Sequence, residues 1–306
     1  MPKPSYKHAI HLATSGAALT LSLSGAAQAS TTIYNLYNAS TSPTPAEFAT
    51  DGWVWGKEQH LSPGNATAAT PGWVGSSCPT CTPFGFKGGM AINWAAHITQ
   101  SGDPLIISQQ DAKNRYGVYA DIDTSAGAWH SPDANHGTRH SIDIGLFKSE
   151  ISQTVNFTIS GIDNPNNNYG ITIFKGMAEG PEYNHYGYPL FDTDTDYLDY
   201  SKTITIQTTN GNTTTTTTTE VYHYLDYVAR TIVDPDTHLT NNTLSFAAEA
   251  GQIYTIMLGG NNGTLYDGYA GYQLNISSVP VPASAWLFAS AISGLLGLNR
   301  RKKSKY

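Results

Sequence analysis

The sequence predicts an all-β chain, a jelly-roll-like antiparallel β-sandwich flanked by an N-terminal signal peptide and a C-terminal transmembrane helix. Three observations carry this reading. Apolar and polar residues alternate with period two in many short runs, with Gly, Pro, Asn and Asp clusters between them. Almost no stretch shows the three-to-four spacing of an amphipathic helix. Apolar segments without acids stand at both ends, each in company with basic residues.

At the start, Lys3, Lys7 and His8 precede an apolar stretch from Ala9 to Gly25 that ends in Ala27-Gln28-Ala29. Basic residues, an apolar run and an A-x-A site are the marks of a secretory leader, cut after Ala29. Residues 1–29 are therefore expected to be a signal peptide, 30–278 the sandwich with an irregular N-terminal part over 30–115, and 279–306 a membrane-directed tail.

The whole chain has 16 Lys+Arg against 23 Asp+Glu, a net charge of −7. Two lysines fall in the leader and five basic residues in the tail, so the sandwich holds 9 basic residues against all 23 acids, a net of −14. Phosphate neutralisation needs the opposite sign, which excludes nucleic acid as a partner.

Along the sandwich, Ile33 to Tyr37 reads as the first strand, and Trp53-Val54-Trp55 follows an Asp51-Gly52 turn. Residues 63–75 are loop by composition, and Met90 to Thr99 suits either a helical turn or a strand. Pro104 to Ile107 and Tyr116 to Tyr119 read as strands. Ile142, Ile144 and Leu146 alternate with Asp143, Gly145 and Phe147, and Val155, Phe157 and Ile159 alternate with polar residues, giving one inward and one wet face. Tyr169 to Phe174 follows the turn-rich Asp163 to Asn168. Thr203–Thr208 and Val221–Val228 flank Asn210-Gly211 and the threonine run Thr213–Thr219, a long hairpin with a low-complexity tip. Leu244–Phe246, Ile253–Leu258 and Tyr272–Ile276 complete about ten strands, with Gly259 to Gly263 as a turn.

The two cysteines, Cys78 and Cys81, stand in Ser77-Cys78-Pro79-Thr80-Cys81. Export would place them in an oxidising compartment, where paired thiols become a disulfide. The residues that follow do not read as a helix that would activate a redox thiol, and two cysteines do not complete a zinc site.

Several groups could carry chemistry. Asp192, Asp194, Asp196 and Asp199 alternate as in calcium loops, but Tyr197 and Thr203 stand where an EF-hand needs glycine and glutamate. A looser calcium site and a solvated acidic loop both suit them. Asp121, Asp123, Asp133 and Asp143 form a thinner group. His130, His136 and His140 lie within eleven residues, yet Pro132 and Gly137 make that segment a loop of turn histidines rather than a zinc helix. No G-x-S-x-G elbow occurs, and neither Glu150 nor Glu182 is marked out as half of a glycosidase pair. Tyr183, His185, Tyr186 and Tyr188 set aromatic faces beside polar groups, which suits sugar rings; tyrosine is also common in strands.

The tail has three parts in fixed order. Val279, Pro280, Val281 and Pro282 come first, then an apolar run from Ala283 to Leu298 containing Trp286, then Arg300, Arg301, Lys302, Lys303 and Lys305. From Val279 the apolar part is about 20 residues, enough to cross a bilayer core as a helix, and the basic cluster would stay cytoplasmic. In this order the tail resembles the PEP-CTERM sorting signals of Gram-negative bacteria, in the VPxPA variant; Val281 stands where the commoner form has glutamate. The resemblance covers 28 residues. It implies export by the Sec machinery, an inner-membrane intermediate, processing by an exosortase, and delivery to the cell surface or extracellular matrix. The strand order from Ile142 to Ile276, with its Ala250-Gly251-Gln252 turn, is similar to the bacterial pre-peptidase C-terminal type of sandwich, whose members are mostly binding or accessory modules. The expected function is therefore non-enzymatic adhesion or glycan binding within exopolysaccharide. The alternatives are a secreted polysaccharide hydrolase and a calcium-stabilised structural surface protein.

Overall fold

The computed structural model describes residues 29–36, 39–42, 72–78, 81–86, 92–131, 142–162, 164–177, 197–206, 216–264, 268–269 and 271–279. Within them the chain is an all-β sandwich of two sheets. The larger has eight strands: β1 (Thr31–Asn35), β2 (Trp73–Val74), β3 (Trp94–Ile98), β6 (Asp143–Ser149), β8 (Tyr169–Lys175), β9 (Tyr197–Ile206), β10 (Thr216–Arg230) and β12 (Ile253–Gly260). They lie in the order β2-β1-β3-β6-β12-β8-β10-β9. The smaller sheet is formed by β4 (Leu105–Ile107), β7 (Gln153–Gly161), β11 (Thr243–Ala248) and β14 (Tyr272–Val279), in the order β11-β7-β14-β4. A two-residue pair, β5 (Thr124–Ser125) with β13 (Gly268–Tyr269), stands apart.

From β6 to β8, and again from β11 to β14 apart from the short β13, successive strands change sheet. One pair departs from the antiparallel expectation: β3 runs parallel to β6, Trp94 opposite Gly145 and Ile98 opposite Ser149. β1 to β4 are built into both sheets, so residues from the expected irregular N-terminal part belong to the sandwich itself.

Side-chain direction follows the layers. In β7 and β11 burial alternates strictly, since one face meets the core and the other water. The core between the sheets holds Trp94, Phe147, Phe157, Ile171, Ile256 and Leu274. Phe147, Phe157, Phe246 and Tyr254 meet there, mainly edge to face. The larger sheet is buried on its other face as well, where Ile33, Trp73, Ala95, Trp129, Leu146 and Met257 form a second cluster. The expected wet face of β6 is therefore absent: Asp143, Gly145 and Phe147 face the smaller sheet, and Ile144 and Leu146 face the second cluster.

Two close approaches fix that middle layer. A Cβ on Gly145 would fall inside the Trp94 indole, and one on Gly170 inside the Trp129 indole. Gly259 and Gly260 extend β12 where a turn was expected, because a Cβ on either would meet the chain at 125–129.

Tyr116–Tyr119 is not a strand. Helix α1 runs from Gln109 to Tyr116. Ser108 caps it, its Oγ accepting from the Asp111 amide at 3.0 Å, and Gly117 ends it at φ 82°, in the left-handed region. Asp111 anchors the helix to β1 by accepting from Tyr34 Oη at 2.7 Å and Thr32 Oγ1 at 3.0 Å. Met90–Thr99, open to two readings in sequence, contains β3. β9 and β10 pair as the expected hairpin, and β10 begins inside the threonine run. The Cys78–Cys81 disulfide is formed, ahead of a short 3-10 turn at Pro83–Gly85.

Candidate functional site at the loop end

Two polar centres are built from residues that lie far apart in sequence. The first is inside. Asp143 is wholly buried in β6, and both its oxygens accept. Asn93 Nδ2 donates to Oδ1 at 2.8 Å, and Tyr272 Oη donates to Oδ2 at 2.6 Å. Each donor is itself held by a further bond. Asn93 Oδ1 is taken by the Ile144 amide at 3.0 Å, and Tyr272 Oη already accepts from Trp94 Nε1 at 3.0 Å. Burial pushes the Asp143 carboxyl well above its ordinary value, and the charge of Asp123 and then of Asp121 adds to the shift, against the Tyr272 bond. Tyr272 is pushed up too, by burial and then by Asp143, so it stays a neutral donor.

Asp121, Asp123 and Asp143 are thus buried and electrostatically coupled, while Asp133 lies outside the described residues. Among the described residues no group of three His, Cys, Asp or Glu is placed to hold a metal ion. The centre ties β3, β6 and β14 together across the sandwich, and its chemistry is that of a structural network.

The second centre is at the end of the sandwich where β7, β10 and β12 finish and β8, β11 and β14 begin. Asn168 Oδ1 accepts from the Thr240 amide at 2.9 Å and from Asn261 Nδ2 at 2.7 Å. Its Nδ2 donates to Thr240 O at 2.8 Å and Asn242 Oδ1 at 3.1 Å. Asn242 Oδ1 also accepts from the Tyr169 amide at 2.8 Å, and Thr240 Oγ1 donates to Tyr169 O. Asn261 Nδ2 reaches His238 O at 3.0 Å. These amides clamp the connection from Thr231 to Asn242 onto the ends of β8 and β12.

His238, Asn242 and Asn262 at this end have φ between 56° and 59°, a conformation asparagine tolerates better than most side chains. The clamped connection then leaves Ile232 80% and Leu239 43% exposed, and Ile162 at the end of β7 is 46% exposed. Asp234 caps its own turn by accepting from the Asp236 and Thr237 amides, and these bonds hold its carboxyl below the usual range. The end therefore presents exposed apolar side chains beside carboxylate and amide groups on a fixed backbone. Asn242→Ala should cost about 2 kcal/mol, because the Asn168 and Tyr169 donors lose their acceptor and a Cβ without a compensating amide sits at positive φ. Asn242→Gly should recover the backbone share, and chemical denaturation of the pair checks both.

Most sequence-predicted site residues lie elsewhere. Tyr183, His185, Tyr186 and Tyr188 fall outside the described residues, as do Asp192, Asp194 and Asp196; Asp199 belongs to β9. His136 and His140 are also outside them, while His130 reaches the loop end, bridged to Asn261 with its carbonyl accepting from the Asn262 amide at 2.9 Å. Ala27 lies outside, as do Pro280, Val281, Pro282, Trp286, Arg300, Arg301 and Lys302 of the tail. No described helix is long and apolar enough to cross a membrane. Asn168, Thr240, Asn242 and Asn261 were missed as a group. Each stands in a stretch that reads only as a turn, and strand register alone unites them.

No family model and no curated protein matches the chain. Among solved structures, CorA, a surface-associated copper-binding protein important in copper acquisition by Methylomicrobium album BG8, is similar over 60% of this chain and 97% of its own, at 11% identity and a TM-score of 0.31. MopE, a secreted protein of Methylococcus capsulatus in which an oxidized tryptophan facilitates copper binding, is similar over 48% and 72%, at 10% identity and a TM-score of 0.26. Likenesses this distant carry no statement about the fold or ligand of this chain.

Proposed function

We propose that this chain is an exported cell-surface or matrix protein whose sandwich is a non-enzymatic module that binds glycan of the exopolysaccharide at its loop end. The observation that carries the reading is the clamped Thr231–Asn242 connection, which holds Ile232 and Leu239 in the open beside Asp234 and Asn241. A sugar ring has apolar C–H faces and hydroxyls that need partners, and a preorganised surface of this kind meets both at low ordering cost. The leader, the closed Cys78–Cys81 disulfide and the order of the tail support export and exosortase sorting from a Gram-negative inner membrane.

The test is binding of the full-length chain, kept in detergent, to exopolysaccharide of its host. The expected result is saturable binding without release of reducing sugar. An Ile232→Asp, Leu239→Asp double variant should bind at least tenfold more weakly with unchanged melting. Binding kept by that variant but lost in Tyr186→Ala with Tyr188→Ala would move the site to 183–188. Sugar release would favour a hydrolase. A calcium-dependent melting shift without glycan binding would favour a structural protein stabilised through Asp192, Asp194, Asp196 and Asp199.

A further inference from the structure

The turn that follows β12 makes two structural demands, and together they create a chemically labile pair. Asn262 has a φ of 59°, in the left-handed region that asparagine enters more readily than most side chains. At the next residue, Gly263, a Cβ would lie 2.4 Å from Ala126 Cβ and 2.9 Å from Ala126 C, closer than real side chains come. The turn therefore calls for asparagine or glycine first and glycine second. Asn-Gly is the pair in which a carboxamide is most open to attack by the next backbone nitrogen, because glycine has no side chain to screen its amide.

Three features leave that attack open. Asn262 is partly exposed, and among the described residues its side chain bonds to nothing. The Gly263 amide has no acceptor among them either. The chain is anchored just ahead of the pair, where the Asn261 amide donates to Asn168 O at 2.8 Å and the Asn262 amide to His130 O at 2.9 Å. The Gly263 nitrogen can thus swing toward a carboxamide carbon whose own backbone is held.

The other asparagines of the loop end lack these features. Asn242 shares the positive φ, 56°, but β-branched Thr243 follows it, and its Oδ1 accepts from Asn168 Nδ2 and the Tyr169 amide. The carboxamides of Asn168 and Asn261 are engaged in the clamp, and Tyr169 and Asn262 follow them.

We propose that Asn262 is a self-modifying site, which in the folded protein converts without an enzyme to aspartate and isoaspartate. The Gly263 nitrogen gives its proton to solvent and bonds to Asn262 Cγ; the Cγ–Nδ2 bond breaks, and ammonia leaves with a proton taken back from solvent. Water then opens the cyclic imide. Opening at Cγ restores the original backbone and leaves aspartate. Opening at the Asn262 backbone carbonyl leaves Gly263 bonded through Cγ, so the main chain is one atom longer. Either product adds a carboxylate to an end that already carries Asp234 and Asp236. The longer link falls beside the contact of Gly263 with Ala126, and it loosens the hold of Asn262 on His130 and of Asn261 on the clamp. The inference is independent of what the loop end binds.

The test ages the full-length chain in detergent at mildly alkaline pH, with and without guanidinium chloride, and follows its peptides by mass spectrometry. Fragmentation should place a gain of one mass unit on Asn262, at a rate within about tenfold of that in the unfolded chain. Asn168, Asn242 and Asn261 should stay unchanged in the folded chain. A slower folded-state rate at Asn262, or an equal gain at Asn242, overturns the proposal. Ageing should also lower the melting temperature of the native chain severalfold more than that of Asn262→Gly, which suits the turn but has no carboxamide. No loss in either chain, or the same loss in both, would overturn the loosening of the clamp.

Discussion

Tyr272→Phe should lower stability by about 3 kcal/mol, with a loss that grows as pH rises. The hydroxyl is the acceptor for Trp94 Nε1 and the donor to Asp143 Oδ2, both buried, so its removal takes a hydrogen bond from each of two buried polar groups. The pH dependence follows from Asp143. Its carboxyl is raised in the folded protein, so the native state keeps the proton to higher pH than the unfolded chain. Stability from this group is greatest below its ordinary value of 3.8 and falls as pH rises through the folded value. The Tyr272 bond opposes that shift, so without it the carboxyl rises further and the charged form costs more. Urea denaturation at acid and at mildly alkaline pH compares the two regimes. A loss of the same size at both would show that Asp143 does not titrate against this hydroxyl.

Gly170→Ala is the second large effect, about 3 kcal/mol, at the upper end for an added methyl group in a core. The new Cβ would fall inside the Trp129 indole, which is rigid and held by its own bond from Nε1 to Thr172 Oγ1 at 2.9 Å. β8 cannot yield easily, because it pairs with β12 along its whole length. Trp129→Ala alone should cost about 4 kcal/mol as a buried aromatic lost from the second cluster. Adding Gly170→Ala to it should then cost little, since the obstacle is gone. A double-mutant cycle measures the coupling, and additive losses would mean that the contact is not the cause.

How much could be read from the sequence depends on where each strand sits. β7 and β11 lie in the smaller sheet with one face in water, so Val155, Phe157 and Ile159 appear as a plain alternation. β6, β8 and β12 belong to the middle layer, and burial on both faces erases that contrast. Asp143 looked like part of a wet face for this reason, although it is buried by Asn93 and Tyr272, residues about 50 and 130 positions away. Helix α1 escaped notice because Gln109–Tyr116 buries only one small apolar side chain, Ala112; its signals were the Ser108 cap and Gly117, not periodicity. Asp121, Asp123 and Asp143 were legible as a group, since all are acids within a short span. The amide clamp was not, because Asn168, Asn242 and Asn261 are ordinary turn residues until β8, β11 and β12 bring them together.

The place of β14 also sets a timetable for folding. It lies between β7 and β4, and its last residue is the one before the proline-bearing tail. Until that residue has been synthesised, β7 and β4 have no strand to join them, and Asp143 waits for a tyrosine not yet delivered. Long-range pairing of this kind is slow and leaves exposed edges while it waits. Were the tail held in a bilayer, as the proposed sorting requires, it would keep the unfinished sandwich tethered, apart from its copies, until the sheet closes.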